Sequence, residues 1–293
     1  CGCESLVLSV AAVPGIDVIV GGHSHTLLMA PEVVGSTIIV QAGEHSTHLG
    51  VLNIAVKNGR ITAFDGAPIP IVASMKPDPV TGAVGARLAL YNQALSDKLA
   101  ARVGATPVTL QGERADVRTR CTNLGNLVTD AMRSATNADI AITNGGGIRA
   151  SIQAGDITVG HIYTVLPFDN TLVVLELTGD KILAALEHGV SAYPAQAGHF
   201  AHVSGLTFKF DPARPAGSRV TEVLVGGQPL NPYRYYTVAT NDFMAAGGDG
   251  YTWFKEGKVL FNSGDMLRDV IAAYVSEAGT VTPSDEARIV PVK

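Results

Sequence analysis

Charged residues are scarce in this sequence. They make up 16% of the 293 residues, against about 25% in typical soluble proteins. The formal net charge at pH 7 is -5, so the chain has no general electrostatic attraction to nucleic acid polymers or to anionic membranes. Long apolar runs are absent too, because the longest candidate, 6–20, is interrupted by Ser9, Pro14, Gly15 and Asp17. The sequence therefore offers no stretch of the roughly 18 apolar residues that a membrane-spanning helix needs.

Cysteine is also rare, with three residues at Cys1, Cys3 and Cys121. An odd and small number excludes a disulfide framework, and the spacing of Cys1 and Cys3 does not fit a zinc knuckle. Hydrophobic residues, by contrast, make up 46% of the chain, which is enough for well-buried cores. A length of 293 residues predicts about two domains.

The first hundred residues predict short strands followed by a long helix. The pattern indicates a helix over 6–12, a short buried strand over 17–20 and a strand over 36–40. Asn58-Gly59 between apolar runs predicts a β-hairpin. After a proline-rich stretch, 82–101 has leucines at helical spacing and is predicted to be one amphipathic helix that connects two domains.

From about residue 103, helices and strands alternate, which predicts a mixed α/β (α+β) domain. The predicted helices lie at 123–136, 159–164, 179–190 and 266–275, and the predicted strands at 140–143, 172–177, 206–210, 220–225 and 236–240.

The motif GGHSHT, residues 21–26, follows an apolar run and places two imidazoles on a glycine turn. Imidazoles at such a turn can bind zinc, manganese or similar divalent ions. The alternative is that His23 and His25 are polar loop residues with ordinary hydrogen bonds. A metal site needs more than two ligands, so this motif alone does not decide between the two.

Four further motifs have residue types suited to a nucleotide. NGGGIR, 144–149, is a turn of three glycines that exposes backbone N–H groups, followed by the forked cation of Arg149. ERADVR, 113–118, places two arginines four residues apart, on one face if the segment is helical. LPFDN, 166–170, and NDFMAAGGDGY, 241–251, are each predicted to put a phenylalanine, Phe168 or Phe243, in a loop. Two such rings could stack on a planar base. The alternatives are a structural turn, a solvated arginine pair and rings that belong to the core.

The order and spacing of these motifs resemble the 5'-nucleotidase family, two-domain metallophosphoesterases that include bacterial UDP-sugar hydrolases. The resemblance covers the whole chain, from GGHSHT through NGGGIR and LPFDN to FMAAGGDGY. It implies that His23 and His25 are metal ligands, that two phenylalanines clamp the base, that Asp249 binds the ribose and that arginines hold the phosphates and the sugar. The substrate-binding residues implied are Arg114, Arg118, Asn144, Gly146, Arg149, Phe168, Asn170, Phe243 and Asp249.

The family mechanism implies a nucleotide phosphohydrolase in which two divalent ions, zinc, manganese or similar, activate a water that attacks phosphorus. Nucleoside 5'-monophosphates are the implied substrates, and UDP-sugars or 2',3'-cyclic nucleotides are others that the family allows. The family's remaining metal ligands lie in upstream motifs, none of which appears in this sequence. We therefore expect about 200 residues before Cys1, a size typical of a domain. By itself the chain is expected to hydrolyse nucleotides poorly or not at all.

The resemblance predicts three segments: a remnant of the metallophosphoesterase domain over 1–72, a linker with its helix over 73–104, and a substrate-binding domain over 105–293. It also implies a periplasmic, extracellular or cell-surface location, with any signal peptide in the upstream part. The rival hypothesis is a non-catalytic nucleoside- or nucleotide-binding module that has lost its metal half. Against it, residues 1–70 would then be half a fold with exposed apolar faces.

Overall fold

A computed structural model of the chain describes residues 10–22, 24–72 and 83–292. The chain divides into two compact units, Cys1–Leu88 and Ala89–Lys293. Most of the helix predicted over 6–12 lies outside the described residues. Within the described part of the chain, no helix is long and apolar enough to cross a membrane.

The first unit contains a small sheet and a long hairpin. Its strands are β1 (Val18–Val20), β2 (Glu32–Val34), β3 (Thr37–Val40), β4 (His48–Lys57) and β5 (Arg60–Pro70). The first three form a sheet in the order β1-β3-β2, in which β1 and β3 are parallel. The hairpin of β4 and β5 is confirmed, since Asn58 and Gly59 both have positive φ, 52° and 73°, as a type I′ turn requires.

One expectation for this part of the chain is wrong, and the predicted long helix is present. The strand over 17–20 was predicted to be buried, but β1 lies at the edge of its sheet and Val20 is 78% exposed. The predicted long helix forms as α1 (Ala83–Ala100). On this helix, Leu88, Leu90 and Tyr91 are each more than half exposed.

The second unit is a mixed α/β domain, as predicted. Its helices are α2 (Arg114–Val117), α3 (Asn123–Thr136), α4 (Val159–Val165), α5 (Gly179–Gly189), α6 (Asp242–Ala245) and α7 (Leu267–Ala278). Its strands are β6 (Arg102–Thr106), β7 (Ile140–Asn144), β8 (Gly155–Thr158), β9 (Thr171–Thr178), β10 (Ala201–Ser204), β11 (Leu206–Phe210), β12 (Val220–Val225), β13 (Gln228–Pro229), β14 (Tyr235–Asn241), β15 (Lys258–Met266) and β16 (Ile289–Pro291).

A five-stranded sheet, β10-β7-β14-β9-β15, forms the centre of this unit. Strands β7 and β14 run parallel, whereas β9 and β10 run antiparallel to their neighbours. Alternate residues of the sheet face two separate hydrophobic clusters, with Ile140 and Ile142 in one and Ala141 in the other. The first cluster includes residues of α5 and of the sheet β13-β12-β11-β16, and the second includes residues of α3 and α7. The central sheet is therefore covered on both faces and is a rigid base for the loops at its edge.

Candidate functional site

Four strand ends of the central sheet meet at one edge. The parallel strands β7 and β14 end there, at Asn144 and Asn241. Strand β9 begins at the same edge because Leu172 pairs with Asn241, and β10 begins there because Ala201 pairs with Asn144. The glycine turn, the LPFDN loop and the NDFMAAGGDGY loop, far apart in sequence, are thereby brought together.

The glycine turn uses two of its N–H groups internally. Gly145 N donates to Phe200 O and Gly146 N donates to Gly198 O, each at 2.7 Å. A Cβ on Gly146 would lie 3.0 Å from the Cα of Gly198, so a side chain there would push the two backbones apart. The sequence-based expectation that this turn presents its N–H groups to a ligand is therefore wrong for these two residues. They serve instead to let the segment before β10 approach the turn.

Asn144 and Asp249 are joined directly. Asn144 is 3% exposed, and its Nδ2 donates to the Asp249 carboxylate at 2.6 Å. The Asn144 side-chain carbonyl oxygen in turn accepts from Asn241 Nδ2 at 3.3 Å. This chain of hydrogen bonds runs across the ends of β7 and β14 and fixes the direction of the carboxylate.

The main chain of Asp249 is held in an uncommon conformation. Its φ of 51° lies in the left-handed region. The nearby Gly247 and Gly250 also have positive φ. His188 Nε2 lies 2.7 Å from the Asp249 carbonyl oxygen, and because that oxygen can only accept, Nε2 carries the proton. The His199 ring lies 4.5 Å from the His188 ring. The sequence did not indicate either histidine, since a single histidine in a helix or loop has no pattern.

Three arginines surround this carboxylate region. Helix α2 begins at Arg114 and ends at Val117, with Arg118 as its C-cap residue. Burial and the charges of Arg114 and Arg149 lower the pKa of Arg118, while the charge of Asp249 opposes that shift. Within the described part of the chain, Arg118 Nε is buried without a hydrogen-bond partner. A cluster of three cations near one carboxylate favours an additional anion.

Phe168 lies in a loop as predicted, but Phe243, also predicted in a loop, lies in the short helix α6. Neither ring is part of a hydrophobic cluster. Phe168 is 47% exposed and Phe243 is 44% exposed. The Arg149 guanidinium lies 5.9 Å from the centroid of the Phe168 ring, and the Phe243 ring lies so close to Gly248 that a Cβ there would be 2.5 Å from it. Both rings therefore offer free surface near the arginines and Asp249. Asn170, half-buried in the same loop as Phe168, uses its main-chain carbonyl to accept from Leu267 N at 2.8 Å.

The histidines of GGHSHT lie in the first unit. His23 is outside the described residues, and His25 has a φ of 61° with its Nδ1 paired to the Glu44 carboxylate. His45 Nε2 lies 3.5 Å from the same carboxylate. Over residues 10–22, 24–72 and 83–292, no group of three or more histidine, cysteine or acidic side chains could hold a metal ion. These residues alone do not provide the donors of a two-metal centre, and His23 and His25 as ligands stay a prediction.

Comparison with known proteins fits this arrangement. The family model of the 5'-nucleotidase C-terminal domain matches residues 102–256, which is more than half of the chain. The chain belongs to the 5'-nucleotidase family. The resemblance noted from its motifs is thus confirmed.

Relatives and solved structures show how far this family likeness extends. A trifunctional nucleotide phosphoesterase protein of Bacillus subtilis is 38% identical over 94% of this chain and 20% of its own length. A 5'-nucleotidase of Diplobatis ommata is 34% identical over 100% of this chain and 57% of its own. The crystal structure of a 5'-nucleotidase precursor from Thermus thermophilus matches with a TM-score of 0.76 and 40% identity, covering 98% of this chain and 62% of that one. The chain thus spans less than two thirds of each of these relatives.

Proposed function

We propose that the second unit binds a nucleotide at the edge of its central sheet, with the base between Phe168 and Phe243. The exposure of both rings next to a carboxylate and three arginines is the observation that carries this proposal. An exposed aromatic ring costs free energy in water, and stacking on a base recovers ~1–3 kcal/mol for each base. One ring lies in the loop before β9 and the other in α6, directly after β14, so both lie at the same end of the central sheet, where they suit a planar ligand.

The ribose belongs at Asp249 in this proposal. A carboxylate has two acceptor oxygens and can take hydrogen bonds from two neighbouring hydroxyls. Its Oδ2 already accepts from Asn144 and its main chain is held by His188, so the group is oriented before a ligand arrives. Such preorganisation lowers the entropy cost of binding.

The phosphate belongs near the arginines. Arg114 and Arg149 lie close enough to Arg118 for their charges to lower its pKa, after the larger effect of burial, so an anion among the three would relieve their mutual repulsion. The forked guanidinium suits phosphate oxygens, which supports assigning these three residues to the phosphate end.

We further propose that this chain is the nucleotide-binding half of a phosphohydrolase that releases phosphate from nucleoside 5'-monophosphates, with 105–293 as its substrate-binding domain. The names of the relatives support a phosphoric ester hydrolase. Two divalent metal ions, which such a hydrolase would use to activate water, are proposed for the complete enzyme. A periplasmic or extracellular location is part of the same proposal, supported by relatives that include a snake venom 5'-nucleotidase.

Substituting Asp249→Ala tests the site. Removing hydrogen bonds to a charged group costs about 1.5–3 kcal/mol, so we expect AMP to bind this chain about 10- to 100-fold more weakly by titration calorimetry. The matched control is Asp156→Ala, an exposed carboxylate on β8 that pairs with Arg102. Equal affinity in the wild type and in Asp249→Ala would reject Asp249 as the ribose ligand.

A further inference from the structure

Arg268, near the start of α7, contacts the loop that carries Phe168. Its Nη2 lies 2.7 Å from Asp169 Oδ1, and its Nη1 donates to the Phe168 carbonyl oxygen at 3.3 Å. The guanidinium also lies over the ring of Tyr163, with Cζ 4.5 Å from the centroid. The side chain is only 13% exposed. Three different contacts therefore fix this guanidinium against the main chain at Phe168, whose ring is proposed to stack on the base.

Helix α7 itself gains little from this arginine. A cation in the first turn of a helix faces the positive end of the helix dipole, which is unfavourable. The helix is anchored in the core by Leu267, Ile271 and Val275, all buried. Arg268 Nε is moreover buried without a partner among the described residues, which adds a further cost. The position of Arg268 is better explained by what it holds than by the helix it belongs to.

Asp242, the first residue of helix α6, makes main-chain contacts near both rings. One of its carboxylate oxygens accepts from Thr171 N at 3.0 Å and from Phe243 N at 2.9 Å. Thr171 is the first residue of β9 and directly follows the Phe168 loop, and Phe243 belongs to α6, so a single oxygen connects the main chain next to both rings. Arg268 thus holds the Phe168 loop at Phe168 and Asp169, and Asp242 holds the main chain just after that loop and at Phe243.

We propose that Arg268 and Asp242 are positioning residues that set the separation of the Phe168 and Phe243 rings for a planar base. This inference rests on the proposed function, since it assumes that the two rings take a base. Neither residue stacks on the ligand in this proposal. They act by fixing the backbones from which the rings project, so that the gap exists before binding.

Lysine cannot replace Arg268 in this role. An ammonium could keep the charge opposite Asp169, but it lacks the planar fork that reaches Asp169 and the Phe168 carbonyl together while stacking on Tyr163. Arg268→Lys should therefore lie between the wild type and Arg268→Gln. A graded series of this kind separates the contribution of charge from that of geometry.

The test compares two ligands that differ in the base. AMP uses the rings, whereas ribose 5-phosphate offers only the sugar and phosphate. For Arg268→Gln and Asp242→Ala we expect the Kd of AMP to rise about ten-fold, as loss of good stacking predicts, and the Kd of ribose 5-phosphate to stay unchanged. The control is Arg133→Gln, which also removes a guanidinium bond to a backbone carbonyl, that of Asp139. Unchanged AMP affinity in both variants, or equal weakening of both ligands, would overturn the proposal.

Hydrogen exchange separates failure of this inference from failure of the proposed function. In the ligand-free chain, Arg268→Gln should speed amide exchange several-fold in the peptide 166–171, and Arg133→Gln should not. If AMP binds the wild-type chain no more tightly than ribose 5-phosphate does, the base site itself is refuted. If Arg268→Gln leaves exchange in this peptide unchanged, the positioning role is refuted whatever the ligand results. Should Arg268→Gln fail to fold, Arg268→Lys provides the same comparisons.

Discussion

His202 is a buried residue that contacts the main chain next to Arg118. It is completely buried on β10, and its Nε2 lies 2.9 Å from the carbonyl oxygen of Val117, the residue before Arg118. Since that oxygen accepts, the imidazole donates from Nε2. Burial lowers the pKa of His202 to about 4, so the ring is neutral at pH 7. The turn that presents Arg118 is thus supported by an uncharged histidine.

This histidine makes the stability of the chain depend on pH. Its folded pKa of about 4 lies below the ordinary 6.5, so the unfolded state binds the proton more readily. Its contribution is complete above pH 6.5 and is lost as the pH falls toward 4, by about 3 kcal/mol in total. We expect urea denaturation to show a free energy of unfolding that falls between pH 6.5 and pH 5.

Two variants identify the source of that slope. His202→Gln keeps an N–H for Val117 and should flatten the slope between pH 6.5 and pH 5, whatever it does to stability at pH 7. His161→Gln, at an exposed position on α4, should leave the slope as it is in the wild type. If His202→Gln retains the wild-type slope, His202 is not responsible for it.

Residues of the site differ in how far the sequence could predict them. Phe168, Phe243 and Asp249 stand in recognisable motifs, so the family resemblance could propose roles for them from the sequence. Arg268 and His188 carry no such signal, because each acts through a contact with a residue 61 or more positions away. Side chains that act by long-range contact become visible only after the chain is folded.

At the scale of elements, the sequence predicts what has a strong local pattern. The helix α3 and the strands β11 and β12 occur over the predicted residues. Strands β2, β6, β8, β10, β13, β15 and β16 were not predicted. Strand β10 alternates apolar Ala201 and Val203 with polar His202 and Ser204, but over only four residues this alternation is too short to stand out in the sequence. It forms because pairing with β7 buries it.

A glycine in α3 gives a prediction at this scale. Replacing a glycine inside a helix with alanine normally stabilises the helix by about 1 kcal/mol. At Gly125, however, a Cβ would overlap the imidazole of His202, which is fixed by its hydrogen bond to Val117. We expect Gly125→Ala to lower the free energy of unfolding in urea by about 1–3 kcal/mol, as overpacking does.

The control for this prediction lies on the same helix. Ser134 is exposed, so Ser134→Ala should change stability by less than about 0.5 kcal/mol. Stabilisation by Gly125→Ala would mean that His202 can move aside. The close approach of α3 to β10 would then be looser than the structure indicates.

In the whole molecule, the proposed nucleotide-binding residues all lie in one unit. The motifs with aromatic rings, arginines and Asp249 all belong to Ala89–Lys293, and the described histidine of GGHSHT belongs to Cys1–Leu88. Motif order indicated the family from the sequence, and the 5'-nucleotidase domain model confirms it. The edge at which the loops meet could not be predicted, because it depends on the register of β7, β9, β10 and β14.

The most direct test of the central claim is the crystal structure of this chain with adenosine. We predict the purine between the rings of Phe168 and Phe243, with the ribose hydroxyls at the Asp249 carboxylate. That position would establish the sheet edge as the nucleoside site. Adenosine bound elsewhere, with both rings and Asp249 left in contact with solvent, would contradict the account.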